Sequence, residues 1–150
     1  AVLKKYLSDE SQQRIMLVED DDINRNIIKS ILAKAGWQVS SAENARIALE
    51  MIQVAPPDLI LTDLLMPEMD GFELIAQLHE HPDWRSIPVV VLTAKDMTQA
   101  ECNLLTDRVD RIFQKGRYQR EELLQEIREC LMKVTRKDYQ QTLEMVDNVK

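Results

Sequence analysis

Four acidic residues, Glu19, Asp20, Asp21 and Asp22, stand directly after an apolar run at 15–18, and a fifth, Asp63, closes another that begins at 59. Each has an ordinary reading when taken singly. An Asp before a helix caps exposed N–H groups and suits the positive end of the helix dipole, and a strand-end Asp is most often a turn former. Capping accounts for Asp21 or Asp22 in part, but it does not account for Asp63. If the two runs are neighbouring strands, Glu19, Asp20 and Asp63 meet at one rim. There, two carboxylates about 5 Å apart repel by about 3 kcal/mol at an effective dielectric of 20. A hard divalent cation relieves that repulsion, and Mg2+ typically takes one or two carboxylates together with waters and phosphate oxygens. Thr93, closing a third run, and Lys115, two residues after Phe113, would add a hydroxyl donor and a cation able to hold phosphoryl oxygens. A lone strand-end Thr is usually structural and a lone Lys is usually solvated; the combination means more than any member.

These residues need a scaffold that brings strand ends together. The runs at 15–18, 59–61 and 89–92 are short and continuously apolar, which suits strands covered on both faces in a parallel sheet. Weaker strand candidates lie at 37–40 and 109–113. Between them, Ile23, Ile27, Ile31 and Ala35, with Ile28 and Leu32, form one apolar stripe at helical spacing. Ala45, Ala48, Leu49 and Ile52 form a second, Phe72, Ile75, Ala76 and His79 a third, and Leu123, Leu124, Ile127 and Leu131 the last. The segment 97–105 is the poorest helix candidate. Strand and helix alternate five times, which predicts a doubly wound α/β domain with right-handed crossovers. Ligands of such sheets bind outside the carboxyl ends of the strands, where the acids, Thr93 and Lys115 fall.

The 150 residues fit one domain with a sizeable core, and 45% hydrophobic with 30% charged residues argues against a disordered chain. A net charge of -7 disfavours direct binding of nucleic acid. Two cysteines, Cys102 and Cys130, and two histidines offer no zinc spacing, which leads to the expectation of a reduced, cytoplasmic chain. No apolar run approaches the roughly 20 residues of a membrane span, so no membrane partner is expected. Residues 1–13 read as a linker or the end of an upstream helix, 14–133 as the folded domain, and 134–150 as a C-terminal extension with loose helical spacing. The start at Ala1 is consistent with trimming or excision from a longer protein.

The runs Val18-Glu19-Asp20, Asp58 through Gly71 (Asp-Leu-Ile-Leu-Thr-Asp-Leu-Leu-Met-Pro-Glu-Met-Asp-Gly), Pro88 through Lys95 (Pro-Val-Val-Val-Leu-Thr-Ala-Lys) and Phe113-Gln114-Lys115 resemble response-regulator receiver domains in order and spacing. The resemblance implies a flavodoxin-like (βα)5 sandwich with a five-stranded parallel sheet in the order 2-1-3-4-5. It implies Asp63 as phosphoacceptor, with Thr93 and Lys115 on the phosphoryl oxygens. Glu19, Asp20, Asp63 and the backbone carbonyl of Leu65 would hold Mg2+. The implied partner is a histidine kinase or histidine phosphotransfer domain, with an attached kinase or output domain and a homodimer left open. The domain would be a signalling module rather than an enzyme, capable only of self-phosphorylation and slow self-dephosphorylation.

Two positions depart from the family pattern. Where many relatives carry an aromatic residue three positions before the lysine, this chain has Ile112, and strand alternation should point Phe113 to the opposite face. Gly116 stands where proline usually follows the lysine. The stretch 111–123 looks like receivers attached to hybrid histidine kinases. One alternative is a pseudo-receiver that only binds proteins. Another is a haloacid-dehalogenase-type phosphatase, which would want a second Asp where Leu65 stands. A nucleotide or flavin binder would want Gly, Ser or Thr after the first strand, where four acids stand instead.

Overall fold

The computed structural model describes residues 13–66 and 69–147, the last fourteen of these as helix path alone. Among the described residues, five strands alternate with five helices: β1 (Arg14–Val18), α1 (Asp22–Lys34), β2 (Gln38–Ala42), α2 (Ala45–Val54), β3 (Leu59–Thr62), α3 (Gly71–Glu80), β4 (Val89–Thr93), α4 (Gln99–Leu105), β5 (Arg111–Gln114) and α5 (Arg120–Asp147). The strands form one parallel sheet in the order β2-β1-β3-β4-β5. This is the expected doubly wound α/β architecture. The central strands β3 and β4 are buried along their whole length, as a strand covered by helices on both faces must be.

Alternation along the strands divides the core into two layers. Met16, Val18, Ile60 and Val91 face α2 and α3 (Ala48, Ile52, Leu74, Ile75). Ile15, Leu17, Leu61, Val90 and Phe113 face α1 and α5 (Ile28, Leu32, Leu123, Ile127). Ile112 packs against the first layer and Phe113 lies in the second, so the two residues face opposite sides of the sheet, as the strand period requires.

The helix faces differ from the sequence reading in two places. In α3 the buried residues are Gly71, Leu74, Ile75 and Leu78, while His79 is exposed. That face has the same spacing as the expected Phe72, Ile75, Ala76 and His79 stripe, rotated by one residue. In α1 only Ile28 and Leu32 are buried; Ile23 and Ile27 are 70% and 54% exposed. A broad apolar stripe exceeds what one sheet face can cover, and helix rotation is set by the contact that fits best.

Of the segment 1–13 read as a linker or the end of an upstream helix, residues 1–12 lie outside the described residues, whereas α5 continues without a break from Arg120 to Asp147. Among the described residues no helix is long and apolar enough to cross a membrane.

Candidate functional site

Glu19 and Asp20 follow β1, Asp63 follows β3, Thr93 ends β4 and Lys115 follows β5. Because β1, β3, β4 and β5 are consecutive in a parallel sheet, all four carboxyl ends open on the same edge. Glu19, Asp20 and Asp63 come together there, each offering a carboxylate oxygen within 4.8 Å of the others. The Lys115 ammonium reaches across from β5, with Nζ 2.9 Å from Asp63 Oδ2 and 2.5 Å from Glu19 Oε1.

The backbone fixes Asp63 closely. The Asp63 N–H donates to the Val18 carbonyl at 3.1 Å, tying β3 to β1. The amides of Leu64 and Leu65 donate to Asp63 Oδ1 at 2.7 and 3.2 Å, which leaves Oδ2 turned to Lys115. Thr93 is fully buried; its hydroxyl accepts from the Lys95 amide at 3.2 Å, and its carbonyl accepts from the Lys115 amide at 2.7 Å. The acidic run after β1 divides its labour. Asp21 caps α1 by accepting from the Asn24 amide, and Asp22 pairs with Arg25. Glu19 and Asp20 remain for the site.

The electrostatics separate the two buried carboxylates. Glu19 is 1% exposed, and its burial, augmented by repulsion from Asp63, pushes its carboxyl up to about 7 despite the opposing pull of Lys115. Asp63 is also desolvated by burial, but Lys115, the Leu65 amide and the Thr93 hydroxyl outweigh this and hold it below the usual aspartate value. Lys115 is desolvated too, yet its two carboxylate partners raise it above the ordinary lysine value. At neutral pH Asp63 is therefore ionised, while Glu19 is partly protonated.

These shifts set a pH dependence. Between about pH 4.5 and about pH 7 the folded chain holds more protons at Glu19 than the unfolded chain, so the stability this group contributes falls as pH rises through that window. Asp63 acts in the opposite sense, contributing stability that is lost only as pH falls through its depressed value. The urea midpoint of the wild-type protein without divalent cations is expected to decline from about pH 5 to about pH 7.5. Glu19→Gln should flatten that decline. A wild-type midpoint that held constant over the interval would contradict the buried, proton-rich state of Glu19.

The residues fit a hard cation. The donor set is all oxygen, three carboxylates gather beside one ammonium, and Glu19 Oε2 is a buried acceptor with no hydrogen-bond partner among the described residues. Glu19, Asp20 and Asp63 could hold a metal ion there. Leu65 lies beside them, its side chain 50% exposed, and Lys95 is salt-bridged to Glu101 at 3.2 Å.

Sequence reasoning missed two contributors. Arg25 donates from α1 to the Glu19 carbonyl at 3.0 Å and orders the loop after β1; its position on a helix surface gave no signal. Gly71 packs so tightly against the backbone after β3 that a Cβ there would lie 2.2 Å from the Asp63 carbonyl oxygen and 2.7 Å from Leu64 Cα. A buried glycine opening a helix is the signal that could have found it. Gly116 has φ +82, a left-handed conformation that glycine adopts freely and that the fixed φ of proline excludes.

A family profile described as "Response regulator receiver domain" matches residues 15–128. Over 109 residues, 73% of this chain, the sequence is 38% identical to the sensor histidine kinase TmoS of Ectopseudomonas mendocina, and the match covers 11% of that protein. The response regulator MprA of Mycolicibacterium vanbaalenii is 34% identical over 125 residues, covering 83% of this chain and 53% of MprA. The chain thus spans only part of each of these relatives. Among solved structures, the signal receiver domain of a signal transduction histidine kinase from Syntrophus aciditrophicus superposes with a TM-score of 0.74 at 32% identity, covering 81% of this chain and 92% of that one.

Proposed function

Since the chain belongs to the response regulator receiver domain family of two-component signalling, we propose that it takes a phosphoryl group from a phosphohistidine onto Asp63, in a step that depends on Mg2+. The donor would be a histidine kinase or a histidine phosphotransfer domain. The observation that carries this reading is the pairing of an ionised Asp63 with Lys115 beside a buried Glu19 oxygen that no group among the described residues satisfies.

The step balances as a simple transfer. An Asp63 carboxylate oxygen bonds to phosphorus and the phosphorus–nitrogen bond of the phosphohistidine breaks. The bonding pair stays on the imidazole, and the product is an acyl phosphate. Positioning and charge neutralisation do most of the work in such transfers. Oδ1 is pinned by the Leu64 and Leu65 amides, so the carboxylate is oriented before the donor arrives. Lys115 neutralises part of the incoming charge, and the Thr93 hydroxyl supplies a hydrogen bond to a phosphoryl oxygen. Glu19, Asp20, Asp63 and the Leu65 carbonyl would hold Mg2+, which when bound offsets negative charge on the phosphoryl oxygens. Thr93 moving toward the added phosphoryl group, with the loop after β4 following, would be the output switch. The unbroken α5, continuing past the matched region, supports covalent attachment to a further domain.

Intact mass after incubation with acetyl phosphate tests the reading. A gain of one phosphoryl group that requires Mg2+ is the expected result. No gain, with or without Mg2+, would favour a protein-binding pseudo-receiver instead.

The lifetime of the product follows from Leu65. Hydrolysis of the acyl phosphate needs an oriented water, and Leu65, exposed beside the acceptor, has no group that can hold one. Decay of the phosphorylated mass after donor removal is expected to be slow, and Leu65→Asn should speed it on the order of tenfold by positioning water. A variant that decays no faster would remove Leu65 from the account.

A further inference from the structure

Five residues, Ala-Lys-Asp-Met-Thr at 94–98, connect β4 to α4 and leave the sheet at Thr93, on the edge where the site lies. Their far end is anchored by a capping box, in which Thr98 accepts from the Glu101 amide and Glu101 accepts from the Thr98 amide. Their near end carries the Lys95 amide, which donates to the Thr93 hydroxyl oxygen at 3.2 Å. A hydroxyl has a single proton. With the Lys95 N–H directed at one of its lone pairs, that proton is left to donate elsewhere, and Thr93 is among the groups that hold the Asp63 carboxyl down.

The middle of the loop is tied to a different strand. Gln114 ends β5, and its Nε2 donates to Asp96 Oδ1 at 2.5 Å across 18 positions of sequence. The next residue, Lys115, donates its amide to the Thr93 carbonyl. The end of β5 therefore grips β4 at Thr93 through the backbone and the following loop through a side chain. The side chain of Gln114 bonds to Asp96 rather than to a carboxylate of the site, and Asp96 is exposed. An exposed side-chain pair of this kind adds little to the stability of the fold. Its geometric effect is larger, because it joins the middle of the loop to β5, whereas the Lys95–Thr93 hydrogen bond holds only the near end to β4.

Resting on the reading of Asp63 as phosphoryl acceptor, we propose that Gln114 is a positioning residue for that transfer. Through Asp96 it fixes the 94–98 loop, and through the Lys95 amide it keeps the Thr93 hydroxyl oriented toward the phosphoryl group.

Gln114→Ala and Asp96→Ala are each expected to slow Mg2+-dependent phosphoryl uptake from acetyl phosphate on the order of fivefold, the loss of one hydrogen bond. The double variant should be no slower than either single one, since both remove the same link. Asp96→Asn keeps an oxygen that accepts from Gln114 while removing the charge, so it should stay near wild type. Hydrogen exchange at the Lys95 amide should quicken in the alanine variants and not in Asp96→Asn, with melting temperatures little changed in all four. Unchanged uptake in the alanine variants, additive slowing in the double variant, or slowing in Asp96→Asn equal to that in Asp96→Ala would overturn the role. If the wild type takes up no phosphoryl group, the reading of Asp63 fails. Exchange at Lys95 then decides the loop half of the inference: quickening in the alanine variants supports it, and unchanged exchange overturns it.

Discussion

Asp63→Asn protein is expected to gain no phosphoryl mass from acetyl phosphate and Mg2+, while wild type gains one group. The substitution is chosen because it is nearly isosteric. The Asn side-chain oxygen can still accept from the Leu64 and Leu65 amides, so the loop after β3 keeps its shape. What disappears is the nucleophile and the charge that pairs with Lys115. Two other carboxylates stand within reach, and the loss is complete only if they cannot substitute. Glu19 cannot readily do so, since its carboxyl sits at about 7 and is partly protonated at neutral pH, with one oxygen already engaged by Lys115. Asp20 is exposed, and no hydrogen bond among the described residues orients its side chain. The loss should exceed the detection range of intact-mass measurement, roughly a hundredfold, as for removal of an essential reacting group. A phosphoryl gain that persists in Asp63→Asn would transfer the acceptor role to Glu19 or Asp20 and sink the assignment of Asp63.

Gly71→Ala should have the largest effect on the fold for a single methyl group. The added carbon would meet the Asp63 carbonyl oxygen at 2.2 Å and Leu64 Cα at 2.7 Å. Both are backbone atoms, so no side chain can swing aside. Gly71 is buried, its own amide donates to the Leu64 carbonyl at 3.0 Å, and Asp70 caps α3 by accepting from the Glu73 amide at 3.0 Å. The start of α3 and the acceptor loop are thus clamped together, and either must yield. Overpacking of this kind costs about 3 kcal/mol. For a chain of this size that lowers Tm by roughly 10 °C. The same displacement moves Asp63 away from Lys115. A misplacement of about 1 Å at a reacting atom costs on the order of a hundredfold in rate, so uptake should fall even at temperatures where the variant is folded. Melting within about 2 °C of wild type, together with unchanged uptake, would mean that the contact relaxes freely and that Gly71 does not set the acceptor's position.

The sequence by itself determined the alternation of five strands and five helices and the identity of the residues at the strand ends. Short continuous apolar runs such as 59–61 and 89–92 suit covered strands, and a parallel sheet then sends their carboxyl ends to one edge. Asp63, Thr93, Lys115, Glu19 and Asp20 follow from that rule and from local motifs. The opposite facings of Ile112 and Phe113 follow from the strand period alone.

Only the tertiary structure decided which face of a helix is buried. In α3 the sets Phe72, Ile75, Ala76, His79 and Gly71, Leu74, Ile75, Leu78 have identical spacing, and the close approach of Gly71 to the Asp63 backbone selects the second. In α1, Ile23 and Ile27 are left in solvent because Ile28 and Leu32 already fill the contact with the sheet. The burial of Glu19, the double grip of Lys115 and the link from Gln114 to Asp96 were likewise decided there. They join residues 96, 52 and 18 positions apart, and pairings at such separations are created by packing rather than by any local preference of the chain.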